Sequence, residues 1–142
     1  MNREELKKIL PHREPMLLVD EAEKISETEV SGKYLVKGDE FFLQGHFPGN
    51  PVVPGVIQLE IMAQTSCAFF SDFDKKITPY YTGLDKVKFR AMVLPGDLME
   101  IHITLTKARP PFYFMKGRIT VNGKTASEAE FSFAVKEDDG VV

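Results

Sequence analysis

Disulfides, membrane-spanning segments and metal-ligand clusters are all missing from this sequence. A single cysteine, Cys67, excludes an internal disulfide and suits a reducing compartment. No apolar run reaches the ~18 residues of a spanning helix. The N-terminus Met-Asn-Arg-Glu-Glu-Leu-Lys-Lys has no signal-peptide hydrophobic stretch. A cytoplasmic protein with no membrane partner is therefore expected. His12, His46 and His102 are scattered, and there is neither a Cys-x-x-Cys pair nor a phosphate-cradling glycine loop, so no metal or cofactor is expected. Charge of one sign is short as well. Lys plus Arg number 18 against 21 Asp plus Glu, and the net charge of −3 gives no global attraction to nucleic acid. Internal repeats and low-complexity segments are absent too.

What remains is the composition of one soluble globular domain, residues 1–142, with 43% hydrophobic and 27% charged residues. The chain is organised around Gly45–Ser66. Pro48, Gly49, Pro51, Pro54 and Gly55 crowd its first half into a stiff, irregular loop, because each proline fixes its own φ and biases the residue before it toward extended backbone. From about Pro54 to Phe70 no proline occurs and nearly every position is apolar, which predicts a buried helix.

Two titratable groups sit in this setting. Glu60 lies two turns into the helix with no Lys or Arg at helical spacing. Burial without a partner predicts a raised pKa and a carboxylic acid able to give a proton near neutral pH. Gln64, one turn on, can hydrogen-bond that carboxyl and hold its rotamer. His46, in the rigid loop, supplies an imidazole, the side chain type suited to a neutral-pH base. The loop ends at Gly55, where the first N–H groups of the helix lack intrahelical partners and can hold a polarised carbonyl oxygen. Base, acid and oxyanion donors converge on one stretch.

The run His-Phe-Pro-Gly-Asn-Pro-Val-Val-Pro-Gly-Val, followed by Glu60 and Met-Ala-Gln, resembles the signature of the β-hydroxyacyl-acyl-carrier-protein dehydratases of fatty-acid synthesis, in their single-domain form with Glu on the helix. Leu10-Pro-His-Arg-Glu-Pro-Met-Leu-Leu-Val-Asp20, Gly83-Leu-Asp-Lys-Val-Lys-Phe-Arg-Ala-Met-Val-Leu-Pro-Gly-Asp97 and Ala126-Ser-Glu-Ala-Glu-Phe-Ser-Phe-Ala134 are similar to further blocks of that family. The resemblance implies an α+β hot-dog fold, a curved antiparallel sheet of about six strands wrapped around one long helix. It implies dehydration of a (3R)-hydroxyacyl chain on acyl carrier protein to the trans-2-enoyl product, without a cofactor. His46 is then the base, Glu60 the acid oriented by Gln64, and the backbone at Gly55 and Val56 the oxyanion donor. It further implies a homodimer in which His46 of one subunit meets Glu60 of its partner, and trimers of such dimers. Asn50, Glu14 and Pro110-Pro111 depart from the family pattern without touching His46 or Glu60. Rival readings are a hot-dog acyl thioesterase, a non-catalytic acyl-binding subunit, and a dehydratase that also isomerises its product.

The rest of the chain predicts the frame. Asn2–Leu10 reads as a short helix, Met16–Ala22 as the first strand and Glu29–Val36 as the second. Ser71–Lys76 reads as a loop, Pro79–Phe89 and Leu98–Ala108 as strands, and Phe112–Val121 and Thr125–Val135 as a hairpin closed by Asn122-Gly123. Lys136–Val142 reads as a frayed tail. His12 and Arg13 read as structural, His102 as exposed, and Cys67 as a buried small hydrophobe. Lys86, Lys88, Arg90, Lys107, Arg109 and Lys116 are candidates for a basic rim facing the carrier protein.

Overall fold

The computed structural model describes residues 1–72 and 76–137. Its helices are α1 (Arg3–Leu6) and α2 (Gly55–Ser66), and its strands are β1 (Glu21–Lys24), β2 (Glu29–Leu35), β3 (Ile77–Phe89), β4 (Leu98–Arg109), β5 (Phe112–Val121) and β6 (Lys124–Glu137). The strands form one six-stranded antiparallel sheet in the order β1-β2-β4-β5-β6-β3. Parts of two expectations lie outside the described residues: the middle of the Ser71–Lys76 loop, and positions 138–142 of the tail. Lys136 and Glu137 are not a tail, because both pair with β3 and extend β6.

Alternation decides which face each strand turns inward. In β4, Met99, Ile101 and Ile103 are buried while Glu100, His102 and Thr104 are exposed, as the sequence pattern requires. Asn122 and Gly123 both have positive φ, 51° and 79°, which suits the tight turn whose twist matches the flanking strands. That turn sets Val121 opposite Lys124 and so fixes the register of β5 on β6.

The inner face of the sheet wraps α2, which continues as a 3₁₀ turn, Cys67–Phe70. Two glycines let the helix come close. A Cβ on Gly32 of β2 would stand 2.6 Å from Thr65 Cγ2, and one on Gly117 of β5 would stand 2.8 Å from Met62 Sδ. Ile61, Met62 and Cys67 are fully enclosed between helix and sheet.

The first strand is shorter and later than its apolar pattern suggests. Leu17, Leu18 and Val19 are buried, but they run as an extended cover over α2 rather than as sheet. The reason is local. The Leu18 N–H and the Met16 carbonyl are both taken by the side chain of Gln64, at 2.7 and 2.8 Å, so they are not offered to a neighbouring strand. Within the Asn2–Leu10 segment the α-helix covers only Arg3–Leu6, opened by an Asn2–Glu5 capping box. At the far side of the sheet, β3 pairs with β6 and, among the described residues, with no other strand, and its flank carries the exposed side chains of Tyr80, Leu84 and Phe89. No helix among the described residues is long and apolar enough to cross a membrane.

Candidate active site

The loop before α2 is tied to itself. Phe47 and Asn50 exchange backbone hydrogen bonds of 2.9 Å in both directions, and the Val52 N–H donates to the His46 carbonyl at 2.9 Å. The Val53 N–H reaches Val93 O at 2.9 Å and pins the end of the loop to the segment before β4. His46 is half-buried, its ring stacked on Phe47 with centroids 4.1 Å apart. Its Nδ1 lies 2.9 Å from the Val52 carbonyl. A carbonyl only accepts, so Nδ1 carries the hydrogen and Nε2 keeps a free lone pair. The loop therefore holds the His46 imidazole in one orientation.

At the start of α2, the N–H groups of Ile57 and Gln58 both point to Pro54 O, at 3.0 and 3.3 Å. Those of Gly55 and Val56 have no partner among the described residues, as expected for a helix N-terminus. The Phe89 ring lies against Gly55, and a Cβ there would come within 2.7 Å of it. A side chain at the candidate oxyanion position would therefore have to displace the Phe89 ring.

Glu60 is held from two sides. Gln64 Nε2 donates to Glu60 Oε2 at 2.8 Å, and His12 Nε2 stands 3.3 Å from the same oxygen. Gln64 has no freedom to turn, because its Oε1 accepts from Leu18 N–H and its Nε2 also donates to Met16 O. Glu60 Oε1 has no partner among the described residues. These groups line a cavity of about 240 Å³ with Ala63, Tyr80, Tyr81 and Phe133. The Tyr81 hydroxyl donates to the Leu59 carbonyl and fastens the β3 edge to α2.

Here the structure corrects the sequence. Burial does push the Glu60 carboxyl upward, but the hydrogen bonds from His12 and Gln64 and the attraction of His12 outweigh it, and the net direction is downward. The expectation of a raised pKa assumed a carboxyl without a partner. His12, read as merely structural, is that partner. It is distant in sequence, and helical spacing cannot find a residue brought in by a covering segment.

The chain brings Glu60 and Gln64 together as expected, and leaves His46 apart from them. No hydrogen bond or ion pair joins His46 to Glu60, and His46 does not line the Glu60 cavity. Cys67 is wholly buried, and burial together with the Glu60 charge pushes its thiol upward, which suits a small hydrophobe. His102 is exposed. Of the candidate basic rim, Lys86 and Lys116 share Glu130 at 3.6 Å and Arg90 pairs with Glu128 at 2.8 Å, so three of the six are paired, with two carboxylates between them. Glu14 bridges Arg3 and Lys7 at 3.2 and 3.1 Å, and Pro110-Pro111 forms the link between paired Arg109 and Phe112.

Residues 10–130 match the model of the FabA-like domain family. The chain is 40% identical over 144 residues to the 3-hydroxyacyl-[acyl-carrier-protein] dehydratase FabZ of Clostridium beijerinckii, covering 96% of this chain and 99% of that one. To the protein of the same name from Oenococcus oeni it is 42% identical over 139 residues, covering 96% and 100%. Among solved structures, the dehydratase heterocomplex ApeI:P from Xenorhabdus doucetiae superposes with a TM-score of 0.81 at 20% identity, over 94% of this chain and 91% of that one. A hypothetical thioesterase with coenzyme A from Streptococcus pneumoniae superposes with a TM-score of 0.63 at 15% identity, over 82% and 85%. At such identities these structures establish the hot-dog fold and nothing further.

Proposed function

This chain belongs to the FabA-like family of 3-hydroxyacyl-[acyl-carrier-protein] dehydratases, and we propose that His46 and Glu60 carry its reaction from opposite subunits of a homodimer. The activity is that of a hydro-lyase in fatty-acid biosynthesis, acting on an acyl chain borne by acyl carrier protein. The thioester carbonyl accepts hydrogen bonds from Gly55 and Val56 N–H, which stabilises negative charge on its oxygen. His46 Nε2 takes the α-proton of a (3R)-hydroxyacyl chain. The electrons of that C–H bond form the trans-2 double bond as the bond to the 3-hydroxyl breaks. Glu60 delivers a proton from Oε1 to the departing oxygen, which leaves as water. An acyl chain filling the cavity removes water from around Glu60 and so adds to the burial that favours its protonated form. Imidazolium and carboxylate then exchange the proton through solvent.

One observation supports this reading: among the described residues no hydrogen bond or ion pair joins His46 to Glu60, and His46 is not part of the lining of the Glu60 cavity. The β3 flank exposes Tyr80, Leu84 and Phe89, and Tyr80 also walls the Glu60 cavity. Unpaired edges are usually covered, and a second copy of β3 would cover this one. In this reading residues 1–142 act as a single domain in the cytoplasm, and three pairs assemble into a hexamer with six times the 16.0 kDa mass of the chain.

Mixing two inactive variants tests the shared site. His46→Ala and Glu60→Gln subunits, refolded together, should regain about a quarter of wild-type turnover, because half the pairs are mixed and each mixed pair has one intact site. Turnover in the mixture no higher than in either parent would sink the shared site.

A further inference from the structure

We infer that His12 is a positioning residue for Glu60: its Nε2 anchors Oε2 beside Gln64, so that the acid presents only Oε1 to the substrate. The inference rests on the reading of Glu60 as the acid. The geometry is one-sided. Both donors, at 2.8 and 3.3 Å, converge on Oε2, while Oε1 has no partner among the described residues. Buried polar groups are usually hydrogen-bonded, but His12 Nδ1 is buried with no partner among the described residues. Among those residues the ring's polar contact is the Glu60 carboxylate.

The segment that carries His12 is built to hold it there. Arg13 donates to the carbonyls of Lys7, Leu10 and His12 at 3.2, 2.9 and 2.7 Å, tying the end of α1 to the His12 backbone. Downstream, Gln64 clamps Met16 and Leu18 onto α2. His12 is thus suspended between two backbone anchors with its ring over the acid. The same Gln64 supports both the segment and the carboxyl, so the two donors keep a common frame.

The remaining titratable groups facing Glu60 are Tyr80 and Tyr81 from β3 and Cys67 from the 3₁₀ turn after α2. Burial pushes Tyr81 and Cys67 upward, so both stay uncharged and His12 is the cation-forming neighbour. Removing its donor leaves burial less opposed, and Glu60 should then hold its proton to higher pH.

The test compares His12→Phe and His12→Gln in the assembled enzyme. Enoyl-thioester formation is measured across pH, with the Glu60 carboxyl titrated by carbon-13 NMR. His12→Phe should lower kcat about ten- to hundredfold with little change in KM, as misplacement of a reacting group does. The Glu60 titration should move upward. His12→Gln keeps a donor without the charge. It should restore kcat to within about threefold of wild type and shift the titration less. Wild-type kcat together with an unmoved Glu60 titration in His12→Phe would overturn the inference. If His12→Phe does not assemble, the Glu60 titration in His12→Gln decides, and identity with wild type overturns it. Glu60→Gln separates the two levels. An active Glu60→Gln overturns the acid assignment and this inference together, whereas an inactive one beside an unaffected His12→Phe removes His12 alone.

Discussion

Replacing Gln64 by Leu keeps the side-chain volume but deletes three hydrogen bonds, from Leu18 N–H at 2.7 Å, to Met16 O at 2.8 Å and to Glu60 Oε2 at 2.8 Å. Leu18 is 1% exposed, so its N–H is left in the interior without water, at a cost of about 1–3 kcal/mol. The Met16 carbonyl lies nearer the surface and can recruit solvent, which adds about 1 kcal/mol or less. The new methyl groups offset about 1 kcal/mol of this. The net loss is about 2 kcal/mol, a drop in Tm of about 4–8 °C for a chain of this size. Gln58 supplies the control on the same helix. It is 3% exposed, and its Oε1 already lacks a partner among the described residues. Exchanging Gln58 for Leu should therefore be neutral or stabilising by up to about 1 kcal/mol. Both variants are melted at equal subunit concentration, since association shifts apparent stability. If Gln64→Leu melts with wild type, or Gln58→Leu melts lower than Gln64→Leu, the reasoning about which buried polar group is satisfied is wrong.

The other predictions concern turnover and pH. His46→Ala should abolish enoyl-thioester formation while gel filtration shows the same assembly, because the ring's contacts are local to its loop. Gly55→Ala drives a methyl to 2.7 Å from the Phe89 ring, which is half-exposed and can swing aside. Stability should fall by only about 1 kcal/mol while kcat falls about tenfold through misdirected N–H donors, as steady-state kinetics and melting would resolve. Glu14, hydrogen-bonded by its own backbone, Lys7 and Arg3, is held at about 2 against its ordinary 4.5. A depressed carboxyl stabilises the fold above its unfolded value and loses that contribution as pH falls through the folded one. The Glu14 share of stability should thus disappear between about pH 4.5 and 2, and Glu14→Gln should flatten that part of the curve in acid-unfolding titrations.

Much of the architecture is legible in residue order because it is local. The β4 alternation, the Asn122-Gly123 turn and the long apolar run before Phe70 each specify their element through neighbours a few residues away. So does the position of Gln64 one helical turn from Glu60. The first strand was not legible. Its apolar residues signal burial equally well for a strand or for a cover segment, and the choice falls to a side chain 46 residues away.

The same division runs through the site. By itself the sequence placed the candidate groups: an imidazole on a stiff loop, a carboxyl and its amide on an apolar helix, and glycine where the helix begins. Spacing along the chain is enough for that, since rigid turns and helical periodicity convert it directly into local geometry. Only tertiary structure decided the electrostatics of the acid. His12 reaches Glu60 from 48 positions away in the chain through a folded-over segment, and its Nε2 at 3.3 Å turns an expected upward shift into a downward one. A pKa answers to whatever lies within a few ångströms in space, and no periodicity records that distance.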